Sequence, residues 1–128
     1  MNTLITSVSK MRYETAGDYF EKDGLLTIQI FDQGNPDHNF LIALHEFVEQ
    51  YLTQKRGITN EQIDAFDFEY EKNRQEGDDT SEPGDHPDCP YRDEHRFAMI
   101  VEQLMAHELG VDWHDYDQNI KVYEEPAD

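Results

Sequence analysis

The chain has 128 residues, of which 29 are acidic and 10 basic, giving a formal net charge of −19. A length of this order buries one hydrophobic core without disulfide staples, and Cys89, the only cysteine, has no partner for an internal disulfide, which fits a reducing compartment. So acidic a surface repels phosphate backbones and anionic lipid, which argues against direct nucleic-acid and membrane binding, while it concentrates cations and suits a basic protein partner.

Residues 1–10 carry no apolar run of leader type, and no later stretch is long enough to span a bilayer, so the expectation is a single cytosolic domain over residues 1–128. Gly17 to Asp32 reads as a hairpin: Tyr19 and Phe20 precede a Lys22-Asp23-Gly24 turn, after which Leu26, Ile28 and Ile30 alternate with Thr27 and Gln29. Gly34, Asn35 and Pro36 then break the chain, and Asn35 or Asp37 caps a helix expected to run to about Arg56, with Gly57 as its stop. Phe40, Leu44, Phe47, Val48, Tyr51 and Leu52 recur at helical spacing on it and are expected to face the core.

Thr59 and Gln62 form the pattern of a capping box for a second, shorter helix carrying Ile63, Phe66 and Tyr70. From about 73 to 90 the composition turns to Asp, Glu, Gly, Pro and Ser, and a long acidic loop is expected, with His86 and Cys89 solvated in it. A third helix follows from about Tyr91 to Leu109, with Phe97, Ile100, Val101, Leu104, Met105 and Glu108 along one face. Asp112 caps a short last helix through Trp113 and Tyr116, and a frayed tail is expected at about 121–128. The fold class implied is α+β, an N-terminal β-hairpin packed on three to four helices.

The chemistry is concentrated in Leu44-His45-Glu46-Phe47-Val48-Glu49, which holds H-E-x-x-E inside the first helix. Positions i and i+4 differ by only about 40° around a helix axis, so His45 and Glu49 address one common atom, while Glu46, about 100° from His45, reaches a water beside that atom without binding it. Charged groups at a core margin are costly unless paired, and a divalent metal supplies the pairing. A further ligand is needed, and His95 in the first turns of the third helix is the choice. Glu102, seven residues on and on the same edge, is expected as a fourth ligand or as the hydrogen-bond partner of a histidine. His107 reads as a helix C-terminal histidine, His114 as a surface residue, and His38 as lacking a partner.

Several segments together resemble small phage and prophage proteins. They are His45 to Glu49, Gly57-Ile58, Asp64-Ala65-Phe66-Asp67, Glu82-Pro83-Gly84-Asp85, Pro90-Tyr91 to His95, and Leu109 to Trp113. More distantly, the H-E-x-x-E helix is similar to that of zincin metallopeptidases, whose H-E-x-x-H helix supplies two zinc ligands and a general base. That similarity implies a minimal zincin-like domain with His45 as ligand, Glu46 as base and Glu49 in place of the second histidine. Zinc is the first ion to expect, and the added carboxylate makes Mn or Fe alternatives. The chain shows no strand evidently devoted to holding an extended peptide. The expected activity is metal-dependent hydrolysis, with peptide as a candidate substrate. The alternatives are a non-enzymatic phage protein with a structural metal site, and an acidic surface that mimics nucleic acid.

Overall fold

In the computed structural model, residues 2–74 and 82–126 are described here. Three strands, β1 (Thr3–Val8), β2 (Gly17–Lys22) and β3 (Leu25–Phe31), are followed by α1 (Pro36–Lys55) and α2 (Asn60–Lys72). A single 3-10 turn at Pro83–Asp85 leads into α3 (Arg92–Glu108) and α4 (Trp113–Gln118). The fold is therefore α+β, with a hairpin near its start and four helices after it.

The hairpin turns where the Asp-Gly dipeptide predicts. Asp23 and Gly24 both adopt positive φ (54° and 77°), the conformation a tight two-residue turn between twisted strands requires. β1 was not anticipated. Its sequence, Thr-Leu-Ile-Thr-Ser-Val, has no apolar alternation, and Leu4 and Ile5 remain exposed; only its β-branched content marks it as a strand. It pairs parallel to β3 while β2 pairs antiparallel to β3, giving the order β1-β3-β2 and leaving β2 at an edge.

The Asn35 side chain accepts hydrogen bonds from the backbone N–H groups of Asp37 and His38, which starts α1, and Thr59 and Gln62 form the reciprocal capping box of α2. α1 packs on β2 and β3 with one side and on α3 with another. Ion-pair contacts from His45 to Glu102, Glu49 to His95 and Arg56 to Glu94 run in opposite senses along the two helices, so α1 and α3 are antiparallel.

The core gathers Leu26, Ile28 and Ile30 of β3, Tyr19 of β2, Leu41 and Ile42 of α1, Ile63 of α2, and Tyr91, Ala106 and Tyr116. Two expectations fail here. On α1 the inward residues are Leu41, Ile42, His45, Glu49, Gln50 and Thr53, while Phe40, Phe47 and Tyr51 of the expected core stripe are exposed and Leu44, Val48 and Leu52 half-buried. On α3 the inward residues are Glu94, His95, Ala98, Glu102 and Ala106, while Phe97, Ile100, Leu104 and Glu108 are exposed and Val101 and Met105 half-buried. Apolar periodicity locates a helix, but here each helix turns its more polar face inward, and Ala98 and Ala106, both fully buried, let the backbones approach.

Two loop expectations are also corrected. Part of the acidic loop, residues 75–81, lies outside the described residues, but Gly84 and Cys89 in its remainder are buried, and Cys89 joins the core. Burial raises the Cys89 thiol to about 12, so it is not a reactive thiolate. At the chain's end, the Gln33 side chain bonds the backbone of Lys121 at both its N–H and its carbonyl, and the buried Tyr123 donates its N–H to Thr15 O, so 121–123 is docked rather than frayed. No helix among the described residues is long and apolar enough to cross a membrane.

Candidate metal centre

The antiparallel α1/α3 contact brings three side-chain atoms into a nearly equilateral triangle. His45 Nε2 lies 3.1 Å from Glu49 Oε2 and 3.2 Å from His95 Nδ1, and the latter two are 3.0 Å apart. All three residues are buried, between 5% and 8% exposed. For bonds of about 2.0 Å, tetrahedral geometry sets donor atoms about 3.3 Å apart, so these atoms need to part by only a few tenths of an ångström to become one face of a metal tetrahedron.

The surrounding partners aim the donors inward. His45 Nδ1 lies 2.7 Å from Glu102 Oε1, and the Tyr116 hydroxyl donates to Glu102 Oε2 at 2.6 Å. A carboxylate on Nδ1 fixes the proton of a neutral His45 there and leaves the Nε2 lone pair pointing into the triangle. Glu49 is held similarly, because the Tyr19 hydroxyl donates to its Oε1 at 2.9 Å and leaves Oε2 for the triangle. His95 Nε2 points away, 3.0 Å from Glu82 Oε2 and 3.4 Å from Asp85 Oδ1. Lone pairs converging this closely in a buried space repel one another unless a proton or a metal ion lies among them.

Proton affinities follow from the same contacts. Burial disfavours charge on His45, but its hydrogen bonds to Glu102 and Glu49 outweigh that and raise its pKa well above the ordinary histidine value. His95 is likewise raised, because contacts with Asp85, Glu49 and Glu82 exceed the cost of burial. For Glu49 burial acts upward, yet the two imidazoles prevail and bring it down to about 2. Without a metal, therefore, the cluster holds protons that an incoming cation must displace.

The sequence candidates are placed as follows. His45, Glu49 and His95 come together as one group that could hold a metal ion. Glu102 is not in that triangle: of the two roles expected for it, the geometry gives it the one behind the His45 ring. Glu46 is half-buried and lies across Gly17 of β2, so closely that a Cβ on Gly17 would come within 2.7 Å of Glu46 Oε1. Burial and the neighbouring Glu49 charge raise its pKa well above the carboxylate range. A cavity of about 410 Å³ is lined by His45, Glu46, Glu49 and His95 together with Gly17 and Tyr19 of edge strand β2. The first strand of the expected hairpin thus borders the site.

Sequence reading missed several supporting residues. Tyr19 and Tyr116 enter the sequence reading only as members of a strand and of a short helix, and nothing local marks a tyrosine whose hydroxyl meets a buried carboxylate. Gly84 had a signal in the Glu82-Pro83-Gly84-Asp85 motif: a Cβ there would lie 2.3 to 2.7 Å from the His95 ring, so the turn packs directly against the imidazole. Asp67, buried and 2.5 Å from the Tyr91 hydroxyl, is raised by burial to about 7. His38 does find a neighbour, the Tyr116 ring, at 5.0 Å between centroids. His107 and His114 are exposed. No protein-family model, curated protein or solved structure matches the chain.

Two predictions follow from this arrangement. Gly84→Ala displaces the His95 ring and weakens metal binding about 10-fold or more, the usual cost of disturbing a ligand's support, with an unchanged far-UV circular dichroism spectrum; titration calorimetry with Zn²⁺ measures it. Asp67 keeps a proton in the folded chain that the unfolded chain loses above its ordinary pKa near 3.8, so its contribution to stability is present below that pH and is lost as pH rises to about 7. Over that window the metal-free protein loses up to about 4 kcal/mol from this group, at about 1.4 kcal/mol per pH unit. Urea titrations across pH 4–8 should show Asp67→Asn gaining on the parent as pH rises, and parallel curves would refute the assignment.

Proposed function

We propose that the protein is a metal-dependent hydrolase of zincin-like design, in which His45, Glu49 and His95 hold the ion and Glu46 is the general base. The observation that carries this reading is the triangle itself: three buried donor atoms 3.0 to 3.2 Å apart, with His45 and Glu49 each hydrogen-bonded to a partner on its other side, beside a cavity that Glu46 also lines. With Glu102 behind His45, the protein offers three donors at this point, the number that leaves a catalytic zinc site one open position.

A divalent ion held there supplies Lewis acidity toward a carbonyl oxygen and lowers the pKa of water. The protein's own groups do the rest. Glu46, with proton affinity raised by burial and by Glu49, is suited to take a proton from the attacking water and return it to the leaving group. Gly17, lacking a side chain, leaves the Glu46 carboxylate its place against β2. Glu102 and Tyr116 keep the His45 tautomer fixed, and Tyr19 keeps one Glu49 oxygen committed. Two imidazoles and one carboxylate suit Zn, with Mn and Fe the alternatives. Peptide is the substrate class the site favours, because β2 borders the cavity and an edge strand can pair with an extended chain.

A second reading is a structural ion that clamps α1 to α3, favoured by the deep burial of all three donors. Glu46 separates the two. Elemental analysis of chelator-free protein should give one divalent ion per chain, lost in His45→Ala and His95→Ala. Glu46→Gln should retain the ion and lose about 100-fold or more of peptide or ester hydrolysis, as expected for removal of a general base. Because the ion displaces protons from the cluster, calorimetry in buffers of different ionisation enthalpy should show proton release, and affinity should rise with pH above the ordinary histidine range. Protein without metal under these conditions removes both readings.

A further inference from the structure

The Glu82-Pro83-Gly84-Asp85 turn has chemistry of its own. In a 3-10 turn side chains at i and i+3 eclipse one another, so Glu82 and Asp85 stand on one side of it. Backbone hydrogen bonds from Asp85 N–H to Glu82 O and from His86 N–H to Pro83 O, both 3.1 Å, close the turn. Gly84, with no Cβ, lets it lie against the imidazole, and the two carboxylates then meet the same ring nitrogen. His95 Nε2 is 3.0 Å from Glu82 Oε2 and 3.4 Å from Asp85 Oδ1. The three residues each offer a donor atom within 4.8 Å of the others.

Paired carboxylates are common on so acidic a chain, but the nitrogen they face is not an ordinary surface group. His95 is 5% exposed, and its Nε2 is a buried polar atom with no hydrogen-bond partner: both oxygens stand close to it, yet to the side of the ring's N–H direction. Leaving such an atom unpartnered is costly. Among the described residues no Lys or Arg reaches ion-pair distance of either carboxylate, Arg92 acting on Asp85 only from farther away. An ion on the nitrogen's axis sets its other donors to the side in just this manner, because coordination angles are far from 180° for neighbouring ligands. We propose that Glu82, Asp85 and His95 Nε2 form a second divalent-cation site, joined to the triangle through the His95 ring.

The charges of the two sites balance. Two divalent ions bring four positive charges. Glu49, Glu82, Asp85 and the His95 ring bring four negative ones, since a ring with an ion on each nitrogen is an imidazolate whose last proton has left to solvent. Repulsion between the ions is thus offset by the ligands on and between them. Two oxygens and one nitrogen suit Mn, Fe or Zn, with water completing the shell. The carboxylates are 48% and 51% exposed, whereas the triangle is buried, so the second ion is the weaker and the more readily exchanged. Glu82 also lines the cavity beside Glu46, so this ion gives a largely acidic wall a positive centre. The site extends the metal reading of the triangle but does not rest on the hydrolase reading, because Glu46 takes no part in it.

Titration of the full chain with Zn²⁺, followed by calorimetry and by elemental analysis after equilibrium dialysis, decides the matter. Beyond the ion retained on purification, added Zn²⁺ should fill one further site at lower affinity. The double substitution Glu82→Gln with Asp85→Asn should lose that second ion and keep the first, with an unchanged circular dichroism spectrum. His45→Ala should lose the first ion and keep the second, and His95→Ala should lose both. Should His95→Ala fail to fold, the turn variant decides in its place, since both its positions are exposed. A parent chain that takes up one ion, unaffected by the turn substitutions, overturns the second site and leaves the triangle standing. A second ion that persists in the turn variant is adventitious binding to the acidic surface and overturns the proposal equally. A single ion lost in the turn variant but kept by His45→Ala supports the turn site and removes the triangle, and with it the hydrolase reading.

Discussion

Two helices that turn ionisable residues toward each other and aromatic ones away need something other than apolar contact to hold them together. Between α1 and α3 the facing residues are His45, Glu49, His95, Glu94 and Glu102, with two alanines and few larger apolar groups. Burying an ion costs several kcal/mol even after relaxation, against about 1.5 to 3 kcal/mol gained by burying one large aliphatic side chain. The four buried ionisable groups at the cluster therefore carry a cost that is smallest when charge of the opposite sign lies among them. Protons on the imidazoles meet part of that need, and a divalent cation meets it with stronger bonds.

The rest of the architecture supports that point. β2 and β3 form a hairpin that sets Tyr19 under Glu49 and Gly17 under Glu46. α4 exists within reach of α3 because Asp112 caps it, and it delivers Tyr116 to Glu102. The 3-10 turn places Gly84 against one face of His95 and Glu82 and Asp85 near its outer nitrogen. Each donor is thus fixed by a different element, so most of the fold converges on one small volume. The exposed apolar residues are the counterpart of this inward polarity: a helix whose inner face carries buried ionisable groups has its larger apolar residues on the other side.

Much of the fold was legible from sequence because its signals are local. Asp23-Gly24, the Asn35 cap, the Thr59–Gln62 box and Asp112 act over two to four residues, and each marks a boundary found in the structure. What failed was the inference from periodicity to burial. Phe40, Phe47, Phe97 and Leu104 form genuine amphipathic stripes, but a stripe states only that two faces differ, not which one meets the domain's own core. The site was legible through the i, i+4 spacing of His45 and Glu49. The third member, His95, had to be chosen from several histidines by assuming how two helices pack. Tyr19, Tyr116 and Gly84 could not be found that way, since their roles depend on contacts between residues 14 to 30 positions or a whole element apart. β1 escaped because a parallel partner need not alternate and its outer residues face solvent.

The division of labour within one helical turn follows from neighbours rather than from residue type. Glu46 and Glu49 are three residues apart and chemically identical, yet Glu49 has one oxygen on Tyr19 and the other on two imidazoles, whereas Glu46 has its carboxylate laid across a glycine and bordering the cavity. The first environment favours a permanent anion and pulls its proton affinity down to about 2; the second favours the protonated form and pushes it up. A pair of carboxyl groups driven apart in this way is what separates a fixed ligand from a group that exchanges protons. A site that only clamped two helices would need Glu49 as it stands, whereas Glu46, which bonds no other side chain among the described residues, adds nothing to the clamp. Under the proposed function, Glu46, laid against Gly17 of β2, is the carboxyl group left for proton transfer.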